Sequence, residues 1–159
     1  MPDKVKAVPD GFHTLTPHLI VRDAAKAIEF YKNAFGAEVL NVSPGPGNKI
    51  IHASLKIGDS ILMLNDEFPE YGALAPGAAG SGVSLHIYLE NVDDAFARAV
   101  SAGATVKMPL MDQFWGDRYG QVVDPFGHKW SLATHNRDMS QDEIRKEQEQ
   151  AFSKVPKSA

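Results

Sequence analysis

The chain carries one pattern of short strands and a helix twice, and this repeat limits the fold more than any other feature of the sequence. In the first copy, the apolar run 19–21 predicts a strand, and apolar residues at spacings of three and four then predict a helix over 24–35. A displacement of 68 positions matches this helix to a second one over 92–102 and places His18 on His86. Each copy therefore reads as strand–helix–strand–strand–strand.

The two copies define the predicted organisation of the chain. We expect a first βαβββ module over 12–65 and a second over 83–135, joined by a Pro/Gly-rich connector over 66–82. The strand over 104–108 is expected to end before Pro109. Because one helix covers only one face of a four-stranded sheet, the other face of each sheet needs a partner sheet or a ligand.

A separate helix is predicted at the C-terminal end, over 138–153. Ser140 and Glu143 form a capping-box pattern, and Ile144, Ala151 and Phe152 give a thin apolar stripe on an otherwise charged helix. This helix packs on one side of the same chain or clamps a second copy. We treat it and the two modules as one domain.

Charge and composition exclude several classes of function. The formal net charge is −4 and the chain contains no cysteine, which excludes disulfides, a thiol nucleophile and Cys-ligated zinc. An acidic balance argues against a nucleic-acid partner, which favours a basic patch. No apolar run approaches the roughly 20 residues that span a bilayer. We expect a cytoplasmic protein that contacts neither nucleic acid nor membrane.

Short motifs occur at ordered positions along the chain, over 19–23, 30–31, 35–37, 92–94, 102–104, 113–120 and 124–131. In this order and spacing the chain resembles the vicinal oxygen chelate superfamily, which includes glyoxalase I, the bleomycin resistance proteins and the extradiol dioxygenases. The resemblance covers about residues 12–135, and the second copy is similar to a bacterial glyoxalase-like branch. It implies an α+β fold in which tandem βαβββ modules form curled mixed sheets around a cavity.

The resemblance also implies where a divalent ion would be bound in this chain. Metal-dependent members of the superfamily use His, Gln or Glu from the first and last strands of each module. The corresponding positions here are Thr16, Leu62, Ser84 and Ser131. None of these is a good ligand for zinc, nickel or iron. The expectation is therefore a cavity with neither a metal nor another cofactor.

Three histidines are candidate site residues in the same region. His18 and His86 lie two residues past the implied ligand positions, which keeps them on the same strand face, and His52 lies on a middle strand of the first module. Three interpretations are open. The histidines line a pocket or form structural hydrogen bonds, all three together build a shifted metal site, or one of them is a general acid–base group. The other histidines 13, 128 and 135 are expected at the surface.

An aromatic and charged cluster precedes a strand of the second module. Phe114, Trp115 and Tyr119 could stack on a planar ligand, and Arg118 could bind a carboxylate or phosphate. The alternative is a structural loop in which the aromatic residues pack on the core and Asp117 pairs with Arg118.

The leading functional hypothesis is a homodimeric protein that binds a small, mainly apolar or aromatic molecule in a metal-free cavity, by sequestration. The predicted ligand-binding residues are His18, His52, Leu62, His86, Trp115, Arg118 and Tyr119. One alternative is a metal-dependent lyase, isomerase or dioxygenase that uses the histidines. Another is an interaction protein with a vestigial cavity.

Overall fold

The computed structural model describes residues 4–154 and contains eight strands and three α-helices in that range. The first module comprises β1 His18–Val21, α1 Ala24–Phe35, β2 Glu38–Pro44, β3 Ile50–Ile57 and β4 Ser60–Asp66. The second comprises β5 Ser84–Tyr88, α2 Val92–Ala102, β6 Thr105–Asp112, β7 Asp117–Val123 and β8 Lys129–His135. The C-terminal helix is α3 Gln141–Ser153.

The strands form two separate four-stranded sheets, one from each module. Their orders are β1-β4-β3-β2 and β5-β8-β7-β6. β1 is parallel to β4 and β5 is parallel to β8, whereas the other neighbours are antiparallel. This confirms the predicted α+β fold of tandem βαβββ modules, and within residues 4–154 neither sheet closes into a barrel.

Each module helix begins and ends at the residues that its sequence predicts. Asp23 accepts a hydrogen bond from the Lys26 amide at the start of α1, and Asn91 accepts one from the Asp94 amide at the start of α2. α1 ends at Gly36, whose φ of 67° is the left-handed conformation that glycine adopts without strain. The apolar faces of both helices and one side of each sheet share a single core.

The two modules are joined by aromatic packing from α1 onto the second sheet. The rings of Phe35 and Trp130 lie 4.7 Å apart, and those of Tyr31 and Trp130 lie 5.4 Å apart. His128, which we expected at the surface, is half-buried, and its Nε2 is 2.9 Å from the Ile20 carbonyl oxygen of the first module. That expectation was wrong because the hairpin that carries His128 packs against the open edge of β1.

One predicted strand end was also wrong. β6 continues through Pro109 to Asp112, with an irregular register between Met108 and Met111. Proline lacks an amide hydrogen, but β6 is an edge strand, where one side of the backbone has no neighbour to bond.

α3 packs only lightly on the rest of its own chain. Its predicted cap is confirmed, since Ser140 accepts from the Glu143 amide at 3.1 Å. No residue of α3 is buried, and Phe152 remains 62% exposed beside Phe114. None of the helices in residues 4–154 has the length and apolar character needed to cross a membrane.

Candidate functional site: a cleft between the modules

A cleft of about 660 Å³ lies between the two modules. A volume of this size is typical of sites that bind small molecules. The hairpin 57–62 and the segment before β1 form one wall, and β5 with Trp130 forms the other. Phe35 from α1 also lines the cleft. Two predicted site residues, Leu62 and His86, contribute to the lining.

A row of four rings runs across the second sheet on the face that its helix does not cover. The ring centroids of Trp115 and Tyr119 are 5.4 Å apart, those of Tyr119 and His86 are 5.7 Å apart, and those of His86 and Tyr88 are 4.6 Å apart. We call these four residues the aromatic row. His86 and Tyr88 also line the cleft, so the row and the cleft share these two residues on β5.

Polar side chains lie beside the aromatic row and form a chain of hydrogen bonds. The Gln121 amide donates to the Tyr119 hydroxyl at 2.6 Å, and Tyr119 donates to Ser131 Oγ at 3.3 Å. Ser131 Oγ lies 3.2 Å from Ser84 Oγ. We call these four residues the hydroxyl chain. It runs from β7 across β8 to β5.

The first sheet carries a smaller polar group on its uncovered face. The rings of His18 and His52 meet edge-on at 5.7 Å. His18 Nε2 bonds the Asn65 side-chain oxygen, and His52 Nε2 lies 3.1 Å from Ser54 Oγ. The Asn65 amide nitrogen donates to the Asp66 carbonyl, which leaves the Asn65 oxygen as the acceptor and requires His18 Nε2 to carry the hydrogen.

Arg118 lies away from the aromatic row. Its guanidinium holds Asp93 through two 2.9 Å bonds, from Nε and from a terminal nitrogen, and it reaches Asp112 at 3.3 Å. These hydrogen bonds lower the pKa of the Asp93 carboxyl and raise that of the guanidinium. Neighbouring strand residues face opposite sides, so Arg118 points toward α2 while Tyr119 points away from it. The structure therefore does not place this cation with the other predicted site residues.

Trp115 is held by a buried carboxylate at the far end of the row. Its indole nitrogen donates to Asp117 at 3.1 Å, and the other Asp117 oxygen lies 2.7 Å from His135 Nδ1. His135 Nε2 is 2.8 Å from Asp138, and the hydrogen bonds to Asp138 and Asp117 raise the pKa of His135. The Asp117–Arg118 pair of the alternative interpretation does not form, since Arg118 pairs with Asp93 and Asp112 and Asp117 pairs with His135.

Comparison with known proteins identifies the family. The profile of the glyoxalase/bleomycin resistance protein/dioxygenase superfamily matches residues 11–132. The chain belongs to this superfamily. It is 49% identical over 135 residues to an uncharacterised protein of Mycobacterium bovis, across 82% of this chain and 89% of that one.

Solved structures of the superfamily show the same fold. TioX from Micromonospora sp. ML1 has a TM-score of 0.63 and 29% identity, across 77% of this chain and 98% of TioX. The fosfomycin resistance protein FosX of Mesorhizobium loti has a TM-score of 0.60 and covers 84% of this chain and 97% of its own. At 15% identity, FosX shows the shared fold alone.

The residues at the metal positions that the resemblance implied are poor ligands for a divalent ion. Ser84 and Ser131 face each other on adjacent strands at 3.2 Å, and a hydroxyl pair is a poor ligand set for zinc or iron. The structure also does not join the three histidines, since His18 contacts His52 on one sheet and His86 contacts Tyr119 on the other. Within residues 4–154, no three His, Asp or Glu side chains come together in a way that could hold a metal ion.

Leu62 occupies a different position from the one that the superfamily resemblance implied. His18 pairs with Met63 and His86 pairs with Ser131, so the counterpart of Ser131 is Met63. Leu62 corresponds instead to Trp130, and both side chains are at most 4% exposed in the core. Leu62 still contributes to the apolar wall of the cleft.

Sequence reasoning missed two residues of the site. Tyr88 lies two positions after His86 on the same strand, so the period of two was a sufficient signal for placing it on the same face. Gln121 lies two positions after Tyr119 and shares its face in the same way. Tyr88 is a member of the aromatic row, and Gln121 is a member of the hydroxyl chain.

Proposed function

We propose that this protein binds a small, planar, mainly apolar molecule in the cleft between its modules, without a metal, and retains it by sequestration. The observation that carries the proposal is that His86 and Tyr88 belong both to the aromatic row and to the cleft. A planar ring can enter the cleft and at the same time stack on these side chains.

The cleft supplies the kind of contacts that such a ligand needs. Its deep wall consists of apolar side chains such as Phe35, Ile57 and Trp130, which favour the burial of apolar ligand surface by about 25 cal/mol per Å². Tyr88 is 64% exposed and is therefore free to stack. An aromatic pair adds about 0.5–1.5 kcal/mol beyond the burial of area.

We also propose that the protein functions as a homodimer. β5, which lines the cleft, has one unpaired edge within the described chain. The outer strands expose several large apolar side chains: Val39, Leu40, Val42, Val106, Met108 and Met111. A second copy would cover surface of this kind, and closed two-fold dimers are the commonest soluble assembly.

A thermal-shift screen of planar aromatic compounds tests the binding function. Compounds that bind only the native state must raise the melting temperature. We expect hits whose shift falls in Tyr88→Ala and stays unchanged in Tyr71→Ala. Tyr71 is the matched control because it is 85% exposed and lies in the connector, outside the cleft. A screen without hits, or hits that are insensitive to Tyr88, would contradict the proposal.

A further inference from the structure

The second sheet combines a cation with the end of the hydroxyl chain, and we propose that Lys129 and Ser84 bind the carboxylate of a planar aromatic acid. This inference rests on the proposed function and names its ligand class, with His86 and Tyr88 as the residues shared with the cleft. The aromatic row would hold the ring, and the Lys129 and Ser84 end of the sheet would hold the carboxylate.

The hydroxyl chain can leave Ser84 as a donor to a ligand. The Gln121 amide donates to Tyr119, and the Tyr119 hydroxyl donates to Ser131. Ser84 Oγ is 3.2 Å from Ser131 Oγ, and when the buried Ser131 hydroxyl donates to it, the Ser84 hydrogen is left for a ligand. Ser131 is buried whereas Ser84 is exposed. The chain therefore presents one donor at the surface, and consecutive hydrogen bonds strengthen one another.

The pairing of β5 with β8 places the positive charge of Lys129 beside the Ser84 hydroxyl. Lys129 on β8 is the pairing partner of Ser84 on β5, and it shares a sheet face with Ser131 two residues away. Lys129 is exposed, and within residues 4–154 it forms no ion pair. An ammonium and a hydroxyl donor on one face are suited to an anionic oxygen ligand.

The acidic group on the same face is distant from Lys129. Asp117 pairs with His135 at the other end of β7 and β8, six residues along the strands from Lys129. At about 3.3 Å per residue this separation is roughly 20 Å. The imidazole of His86 and the phenols of Tyr88 and Tyr119 lie between the two ends. A planar acid can thus place its ring on His86 and its carboxylate at Ser84.

Arg118 is not the residue that binds the carboxylate in this proposal. Sequence reasoning assigned the anion-binding role to Arg118, but its guanidinium is engaged by two carboxylates. Lys129 lies on the face that carries the aromatic row and has no ion-pair partner among residues 4–154. The anion-binding role that the sequence predicted for Arg118 is therefore assigned to Lys129.

A matched pair of probes, 2-naphthoate and 2-naphthamide, tests this inference by calorimetric titration. They share ring and shape and differ in charge. We expect 2-naphthoate to bind about tenfold more tightly, a difference that corresponds to about 1.4 kcal/mol. Lys129→Met should remove this preference and leave the affinity for 2-naphthamide unchanged. Ser84→Ala should weaken both probes, because both offer an acceptor oxygen.

Lys56→Met is the control, since Lys56 is an exposed lysine on the first sheet. It should behave as wild type with both probes. Equal affinities in the wild type, or a preference that survives in Lys129→Met, would overturn this inference and leave the proposed function intact. Binding of neither probe would overturn the inference as well, and together with a screen without hits it would overturn the proposed function.

Discussion

The hydroxyl of Tyr31 on α1 donates a hydrogen bond to the carboxylate of Asp124, 2.5 Å away in the hairpin between β7 and β8, and so joins the two modules. The same oxygen accepts from the Trp130 indole at 2.9 Å, and the other accepts from the amides of Phe126 and His128. Asp124 is only 3% exposed. Four donors thus compensate the cost of burying its charge.

Removal of the Tyr31 hydroxyl should destabilise the protein. Tyr31→Phe leaves a buried carboxylate short of one donor, and we expect a loss of about 1–3 kcal/mol in the free energy of unfolding. Urea denaturation measures this loss. Tyr71→Phe, at an exposed position, should change stability by less than about 0.5 kcal/mol. Equal stability of the two variants would show that Tyr31 does not join the modules in this way.

The same residue predicts how stability depends on pH in alkaline solution. Burial, and then the charge of Asp124, raise the pKa of Tyr31 well above its usual value near 10. In the unfolded chain Tyr31 ionises near pH 10, whereas in the native state it stays protonated. The stability due to the neutral phenol is therefore complete below about pH 10 and is lost as pH rises through the native pKa.

Above about pH 10, the free energy of unfolding of the wild type should thus fall more steeply than that of Tyr31→Phe. Denaturation curves between pH 8 and pH 11 provide the comparison. If the free energy of unfolding falls equally with pH in the wild type and in Tyr31→Phe, the pKa of Tyr31 is not raised.

His135 should titrate above its usual range because Asp138 and Asp117 both accept its hydrogen bonds. Its stabilising charge is fully present below about pH 6.5 and is lost as pH rises through the raised native pKa. NMR titration of the His135 ring should show that Asp138→Asn lowers this pKa. If the pKa of His135 is the same in Asp138→Asn as in the wild type, Asp138 does not raise it.

Arg118 and Tyr119 should contribute differently to ligand binding although they are neighbours. Arg118→Ala removes a cation that contacts Asp93 and Asp112, so affinity for 2-naphthoate should stay within about twofold. Tyr119→Ala removes a ring of the aromatic row and breaks the hydroxyl chain, which should weaken binding about tenfold or more. Calorimetric titration of both variants decides this, and the reverse order would place the site around Arg118.

The exposed stripe of α3 should contribute to the assembly of two chains. We expect sedimentation velocity to show a species of about twice the 17.3 kDa chain mass. Because α3 buries no residue on its own chain, deletion after Asn136 and the milder Phe152→Ser should both weaken the dimer. A dimer of unchanged strength in both variants would show that α3 is not part of the interface.

The fold was predictable because its signal repeats. Helical spacing, capping residues and turn glycines occur twice in matching order, and each module builds its sheet from consecutive strands. The hairpins differ between the copies, however. Two residues connect β3 to β4, whereas five connect β7 to β8. The resemblance placed Leu62 at the position that corresponds to Ser131, whereas strand pairing gives Met63.

The candidate site was predictable only in part, for two physical reasons. Adjacent residues on a strand face opposite sides, so Arg118 and Tyr119 could not both face one ligand, and the sequence already contained that information. The cleft itself depends on how the two modules pack through Tyr31, Phe35 and Trp130. A contact between residues about a hundred positions apart leaves no local pattern in the sequence.

The central claim is binding in the cleft without a metal, and one titration tests it most directly. The best planar aromatic compound of the screen is titrated calorimetrically into tag-free protein before and after treatment with EDTA. We predict saturable binding of one molecule per chain, with the same affinity in both samples. Binding that disappears with EDTA and returns with added zinc, nickel, manganese or iron would contradict the account and indicate the metal-dependent alternative.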